Sequence, residues 1–133
     1  VLEVNRDQPL KLLELLDNHG PLKNKKIGIL GLTFKAGTDD IRESPALNTI
    51  KELVMEEAKL YVYDPKAMHK VKKIFPQINY METGQKVIDK SDIILILTEW
   101  PQFTKLDYGD KIVIDGKNVF KNGRPKNYEG ICW

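Results

Sequence analysis

Residues 26–45, KIGILGLTFKAGTDDIRESP, join a short apolar run to a strong helix-start signal and so decide the fold. The run at residues 26–32 is apolar and bounded by turn residues, which predicts a buried strand. Ser44 followed by Pro45 predicts the first turn of a helix, with the serine as its N-cap. The connection between them is long for a strand-to-helix loop and carries a lysine, two aspartates and an arginine. The stretch therefore predicts a β–loop–α unit with a charged loop at the carboxyl end of the strand.

Outward from this unit, the chain continues to alternate between apolar runs and helical patterns. Further strands are predicted at residues 60–63, around 78–80, at 92–98 and at 112–115. Helices are predicted at residues 7–20, 44–57, 67–75 and 83–89. The tail at residues 122–130 is rich in Gly, Asn and Pro, which predicts mostly loop. The alternation predicts an α/β protein, a Rossmann-like doubly wound and mainly parallel sheet with helices on both faces.

Length and composition narrow the classes of protein to consider. A chain of 133 residues, 41% hydrophobic, is long enough for one domain with a real core. Its net charge of +2 implies no broad basic surface for nucleic acid, and its longest apolar run, residues 93–97, is too short to cross a bilayer. A single cysteine, Cys132, fits a reducing compartment, so a cytoplasmic protein is expected. The chain starts in mid-pattern, and we expect a fragment of a longer protein.

The charged loop does not carry the glycine pattern of a dinucleotide-binding loop, because Gly28 and Gly31 are followed by the bulky pair Phe34-Lys35. Lys35 and Arg42 could instead contact an anion near the positive end of the following helix. Alternatively, Asp39 or Asp40 pairs with Arg42 and only orders the loop. The residues alone leave these two interpretations nearly level.

Other strand ends offer weaker candidates. Asp64 could hold a ribose hydroxyl, but before Pro65 an N-cap role is favoured. Trp100 could stack on a ligand or could cover the end of the sheet, and the sequence leaves both interpretations open. Lys117 is a second possible phosphate contact, although a solvated turn lysine is the default interpretation. 

A catalytic thiol and a metal site are both disfavoured. A nucleophilic Cys132 would need a base, and neither His19 nor His69 is linked to it by a motif. No group of Cys, His, Asp and Glu shows the spacing of metal ligands. No catalytic residue and no metal are therefore predicted in this chain.

The charged loop and four later segments have the order and spacing of motifs in a known family. They are GLTFK at residues 31–35, TDDIRESP at 38–45, VYDP at 62–65, SD at 91–92, TEW at 98–100 and DGKN at 115–118. The chain resembles the C-terminal domain of the UDP-glucose/GDP-mannose dehydrogenase family over nearly its whole length, and it is most like members that use UDP-glucose.

The resemblance implies a division of labour within a longer protein. Family members oxidise the C6 hydroxyl of a nucleotide sugar to a carboxylate with two NAD. Their N-terminal domain carries the main NAD site, and a cysteine in the central region carries the covalent intermediates. This chain contains neither part, so we expect the chain alone not to reduce NAD. By the same resemblance, residues 1–20 are the end of the helix that connects the two domains, and residues 21–133 are the Rossmann-like domain that binds the nucleotide sugar.

The resemblance also assigns roles to four residues. Phe34 and Lys35 match the family's substrate-contacting pair, and Arg42 matches an arginine that reaches toward the NAD phosphates. Lys117 stands where many members have a substrate-contacting arginine, and lysine lacks the two-pronged donor group of arginine. The expected partners are the nucleotide sugar, the protein's own N-terminal domain and a second subunit in a homodimer.

Two questions remain open at the level of sequence. A GDP-mannose or UDP-N-acetylhexosamine substrate fits the same motifs, since no base-contacting residue can be located from spacing. A stand-alone nucleotide-binding or interaction module is also compatible with the sheet edge and the near-neutral charge.

Overall fold

The computed structural model describes residues 14–33, 35–42, 44–117, 119–120 and 125–130. Within these residues, six strands form a single sheet in the order β3-β2-β1-β4-β5-β6. The strands are β1 (Lys26–Leu30), β2 (Lys59–Tyr63), β3 (Asn79–Tyr80), β4 (Ile93–Ile96), β5 (Ile112–Asp115) and β6 (Asn127–Gly130). The helices are α1 (Pro45–Met55), α2 (Met68–Ile74) and α3 (Gly84–Lys90), and a short 3₁₀ helix follows at Pro101–Lys105.

The described strands are all paired in parallel, with β1 at the centre of the sheet. β1 pairs with β2 on one side and with β4 on the other. Strand β3 extends the sheet beyond β2, and β5 and β6 extend it beyond β4. The order reverses direction between β1 and β4, which makes the carboxyl ends of these two strands the place where such sheets bind ligands.

Successive residues of the central strands alternate between two apolar clusters on opposite faces of the sheet. Ile27 and Ile29 of β1 belong to the first cluster, which also contains Leu53 of α1. Leu30 belongs to the second cluster, together with Val87 of α3. Both faces are thus covered by helices, and the predicted Rossmann-like, doubly wound architecture is confirmed.

The predicted start of the first helix is confirmed in detail. Ser44 has an extended backbone with φ −71° and ψ 124°, and its Oγ accepts a hydrogen bond from the backbone N–H of Ala46 at 3.3 Å. Pro45 is the first residue of α1, where its missing N–H costs no helical hydrogen bond. The helix therefore begins at the carboxyl edge of the sheet.

The prediction that the tail at residues 122–130 is mostly loop was wrong for Asn127–Gly130, which forms β6. This strand pairs with β5 from Ile112↔Asn127 to Asp115↔Gly130. Its residues are only half-buried or exposed, because β6 lies at the edge of the sheet. An edge strand needs no continuous apolar run, so the pattern that predicted the inner strands was absent here.

The segment before the sheet packs onto the domain. Residues 14–17 are helical, and Leu16 is buried in the same cluster as β1. His19 Nε2 lies 2.9 Å from Glu129 Oε1, which ties the end of this segment to β6. Residues 1–13, which include the first half of the predicted first helix, lie outside the described part of the chain. Across the residues that are described, no helix has both the length and the apolar character needed to cross a membrane.

Candidate functional site

The carboxyl ends of β1 and β4 lie in close contact. Gly31, the first residue after β1, has φ +99°, a conformation that L-residues with a side chain rarely adopt. A Cβ placed on Gly31 would lie 2.6 Å from the backbone nitrogen of Thr98 and closer still to the Thr98 side chain. Glycine is therefore required at this position, and it ends β1 at Leu30, two residues before the predicted end of the strand.

Buried polar side chains hold the backbone that follows Gly31. Asp64 Oδ2 accepts a hydrogen bond from the N–H of Leu32 at 2.8 Å. The hydroxyl of Ser44 donates to the carbonyl of Leu32 at 2.9 Å. The hydroxyl of Thr98 donates to the carbonyl of Thr33 at 2.8 Å. The start of the loop is thus anchored to the ends of β2 and β4 and to the first turn of α1.

Lys35 is the predicted substrate contact that the structure describes most fully. Its carbonyl accepts a hydrogen bond from the Thr33 hydroxyl at 3.1 Å, while the residue as a whole is exposed. Its backbone is therefore held while its side chain remains available to solvent. Phe34, the other half of the predicted substrate-contacting pair, lies outside the described residues.

Asp40 and Arg42 form the ion pair that the sequence left as an alternative. Arg42 Nε and Nη2 each donate to a different carboxylate oxygen of Asp40 at 3.0 Å, and the Arg42 backbone N–H donates at 2.9 Å. The neighbouring Asp39 pairs with Lys70 of α2 at 3.2 Å. The predicted pairing with Arg42 is therefore confirmed for Asp40, whereas Asp39 has a different partner. The Arg42 side chain stays 88% exposed within this pair.

The Arg42 side-chain and backbone hydrogen bonds lower the pKa of Asp40 from 3.8 to about 2. We expect Arg42→Ala to raise this pKa only part of the way back, because the backbone N–H remains. Lys70→Ala should move the pKa less, since Lys70 acts on Asp40 only through weak charge attraction. NMR titration of the Asp40 carboxyl carbon measures all three values. An unchanged midpoint in Arg42→Ala would contradict the ion pair.

The sign of the pH effect follows from the lowered pKa. A carboxylate with a depressed pKa in the folded state contributes stability above its unfolded pKa, and this stability is lost as the pH falls. The Asp40–Arg42 pair should therefore contribute fully above pH 3.8 and lose its contribution as the pH falls toward 2.

The carboxylate of Asp64 accepts hydrogen bonds both from the loop after β1 and from the turn after β2. Its Oδ1 accepts from the N–H groups of Lys66 and Ala67 at 2.8 and 2.9 Å, and its Oδ2 is taken by Leu32. The carboxylate is buried, which leaves no oxygen for a ribose hydroxyl. The favoured N-cap role needs a correction, because α2 begins only at Met68 and Asp64 caps the turn before it.

Asp115 organises the DGKN turn after β5 from a fully buried position. Its Oδ1 accepts from the N–H of Lys117 at 2.9 Å. Its Oδ2 accepts from the N–H of Val119 at 2.8 Å and from the hydroxyl of Tyr128 at 2.9 Å. Lys117, the predicted second substrate contact, is half-buried on this ordered turn at the same edge of the sheet as Lys35.

Trp100 covers the end of the sheet, which was one of its two predicted roles. Its side chain is only 8% exposed and lies in the second apolar cluster with Phe103 and Tyr108. The Tyr108 hydroxyl donates to the carbonyl of Phe103 at 2.6 Å. Burial, followed by the negative charge of Asp115, raises the pKa of Tyr108 above its usual value. An indole this deeply buried offers little ring face for stacking on a ligand.

The remaining candidate residues are the two histidines and the cysteine. His69 is exposed on α2, and His19 is engaged with Glu129 at 2.9 Å. Cys132 lies outside the described residues. Among the residues with described positions, no three His, Cys, Asp or Glu side chains are grouped to hold a metal ion.

Sequence reasoning missed the hydroxyls of Thr33 and Thr98 and the partner of Asp39. Thr98 belongs to the TEW motif, but nothing in the sequence indicates that it contacts Thr33, 65 positions away. The only available signal was a small polar residue directly after a strongly apolar run. Such residues often mark the polar end of a buried strand.

The chain matches known proteins over almost its entire length. The sequence profile of the UDP-glucose/GDP-mannose dehydrogenase family, UDP binding domain, matches residues 28–122. UDP-glucose 6-dehydrogenase AglM of Haloferax volcanii is 35% identical over 98% of this chain and 31% of its own length. UDP-glucose 6-dehydrogenase of Rickettsia bellii is 39% identical over 91% of this chain and 30% of its own length.

Solved structures agree with the sequence matches. The UDP-glucose dehydrogenase of Pyrobaculum islandicum superposes with a TM-score of 0.92 at 39% identity, covering 99% of this chain and 31% of that one. The GDP-mannose dehydrogenase of Pseudomonas aeruginosa superposes with a TM-score of 0.78 at 26% identity, covering 100% of this chain and 33% of that one. The chain therefore spans about a third of the length of these relatives, and it belongs to the UDP-glucose/GDP-mannose dehydrogenase family, of which it comprises the UDP-binding domain.

Proposed function

We propose that this chain is the nucleotide-sugar-binding part of an NAD-dependent UDP-glucose 6-dehydrogenase. The observation that carries the proposal is the position of Lys35, an exposed cation on a held backbone at the carboxyl end of the central strand, within a matched UDP-binding domain. The names of the UDP-glucose dehydrogenases reported above support UDP-glucose over other nucleotide sugars.

The proposed overall reaction is a four-electron oxidation. Two hydrides leave C6 of the glucose unit for two NAD⁺, water supplies the second carboxylate oxygen, and three protons are released. The role of this chain is binding: it holds the diphosphate and so keeps the sugar in place for groups elsewhere in the protein. Binding energy from a remote part of a substrate can support turnover in this way.

Lys35 is proposed to contact the diphosphate as a point charge, with Phe34 beside it against the substrate. Lys117 is proposed as a second contact from the turn after β5. That turn is held by buried Asp115, so Lys117 approaches from a fixed backbone. Because lysine offers no two-pronged donor group, this contact should contribute less than an arginine would.

NAD is proposed to bind mainly outside this chain. The loop after β1 lacks the glycine pattern of a dinucleotide site, and the carboxylate of Asp64 is occupied by three backbone N–H groups. Arg42 is proposed to contribute from this domain by reaching the NAD phosphates. Its 88% exposure supports this role, and its pairing with Asp40 keeps the guanidinium group in a defined orientation.

The larger assembly follows from the same proposal. Residues 1–20 are proposed as the end of a helix that connects to an N-terminal NAD domain, and residues 21–133 as the nucleotide-sugar-binding domain. We propose a homodimer for the complete enzyme. The single cysteine supports a reducing, cytoplasmic location.

The test is calorimetric titration of this chain with UDP. We expect the wild-type chain to bind UDP and Lys35→Ala to bind about ten- to hundredfold more weakly, because a charge-assisted contact to phosphate is lost. Lys90→Ala is the matched control, since Lys90 is equally an exposed lysine but ends α3 just before β4 begins, at the opposite edge of the sheet. Its affinity should equal that of the wild type.

Four results would count against the proposal. Equal affinity of the wild type and Lys35→Ala would remove Lys35 from the site. A GDP affinity above the UDP affinity would favour a GDP-mannose enzyme. Absence of UDP binding by the wild-type chain would contradict the assignment of nucleotide binding to this domain. NADH formation by the chain alone would show that the catalytic parts have been placed wrongly.

A further inference from the structure

Thr98 is a buried residue beyond the end of β4 whose contacts lead to Lys35. Its hydroxyl donates to the carbonyl of Thr33 at 2.8 Å, and the side chain is fully buried. Burial excludes direct contact between Thr98 and a ligand at the open edge. The contact depends on Gly31, because any side chain there would collide with Thr98.

Thr33, which is held by Thr98, in turn holds the backbone of Lys35. Its own hydroxyl donates to the carbonyl of Lys35 at 3.1 Å, and it too is fully buried. The preceding residue, Leu32, is held independently by Asp64 and by Ser44. The two threonine hydroxyls therefore act on the part of the loop that those anchors do not reach.

We propose that Thr98 is a positioning residue for Lys35, acting through Thr33. The inference rests on the proposed function, in which Lys35 contacts the substrate diphosphate. Lysine side chains are flexible, and a fixed backbone reduces the freedom that must be lost when the ammonium group meets a phosphate. The threonine of the TEW motif, which follows β4, thus orders the loop after β1 through its hydroxyl without contacting the ligand.

A purely structural role for Thr98 makes a different prediction. If the hydroxyl only stabilised the fold, its loss would weaken UDP binding to the same extent with or without Lys35. If it positions Lys35, its loss should have no further effect once the lysine side chain is gone. A double-mutant cycle separates the two cases.

The first measurement needs no ligand. Thr98→Val removes the hydroxyl at nearly constant shape, and Thr98→Ser keeps it. Backbone ¹⁵N relaxation of the 133-residue chain should show greater picosecond-to-nanosecond motion at residues 33–37 in Thr98→Val, and wild-type motion in Thr98→Ser. Unchanged relaxation in Thr98→Val would overturn the proposal. If that variant does not fold, Thr33→Val tests the second link, with the added motion expected only at residues 35–37.

The second measurement is the UDP dissociation constant across the cycle. We expect Thr98→Val to bind about five- to tenfold more weakly and Thr98→Ser within about twofold of the wild type. The double variant Lys35→Ala/Thr98→Val should bind like Lys35→Ala alone. An equal loss in both backgrounds would overturn the positioning role. If the wild type itself fails to bind UDP, the proposed function fails, and the relaxation result decides whether Thr98 orders the loop.

Discussion

Gly31→Ala is expected to destabilise the domain by about 3 to 5 kcal/mol, from backbone strain together with a forced displacement of Thr98. Gly31 has φ +99°, and its new Cβ would lie 2.6 Å from the Thr98 backbone nitrogen. The contact involves backbone atoms, so a side-chain rotation cannot relieve it. A loss of this size is a large share of the stability of a typical domain, which is about 5 to 15 kcal/mol. Urea denaturation followed by circular dichroism gives the free energy of unfolding.

Gly37→Ala is the matched control for this prediction. Gly37 also has a positive φ, +89°, but its Cβ would meet no atom within 4 Å. The Gly37→Ala variant should therefore lose only the part of the stability that comes from backbone strain, about 1 to 2 kcal/mol. Equal losses of stability in the two variants would show that the collision with Thr98 adds nothing to the effect of Gly31→Ala.

Asp64→Asn is expected to cost about 2 to 3 kcal/mol, although it changes only one atom of the carboxyl group. The asparagine oxygen can still accept from Lys66 and Ala67, but its amide nitrogen would then face the N–H of Leu32. Two donors would meet in a buried place, and the Leu32 N–H would lose its partner. The free energy of unfolding from urea denaturation measures the loss.

Asp107→Asn provides the control, because Asp107 also accepts a backbone N–H but is exposed. Its Oδ1 accepts from Gly109 at 3.0 Å. Since water can replace such a bond, the change in stability should stay within about 0.5 kcal/mol. A similarly small effect at Asp64 would mean that its carboxylate does not hold the loop.

The inner strands and the start of α1 could be predicted because, in each case, a few adjacent residues carry the signal. The run from Ile93 to Leu97 is buried on both faces of the sheet, and its continuous apolar composition predicts this burial. Ser44 and Pro45 signalled the start of α1 through two adjacent residues. Strand β6 was not predictable in this way, since its position depends on pairing with β5 and its residues face partly to solvent.

The candidate site was predictable in its place but not in its internal contacts. The unusual length and charge of the loop after β1 pointed to the carboxyl edge of the sheet, and the structure places this loop at that edge. Sequence reasoning then left the pairing of Asp40 with Arg42 level with anion binding, because the geometry of a bidentate contact cannot be read from spacing. The bond from Thr98 to Thr33 joins distant parts of the chain and leaves no local pattern. 

The central place of β1 has a consequence for how the chain folds. One neighbour, β2, follows soon after β1, but the other, β4, begins only at Ile93. While a ribosome is still producing the second half, β1 can form a half-sheet with β2 and β3 and has one unpaired apolar edge. Such edges are sites of aggregation, and pairing between strands distant in the chain is intrinsically slow. The nascent chain should therefore be most prone to aggregation before β4 is complete. A chaperone that shields strand edges should raise the yield of folded protein.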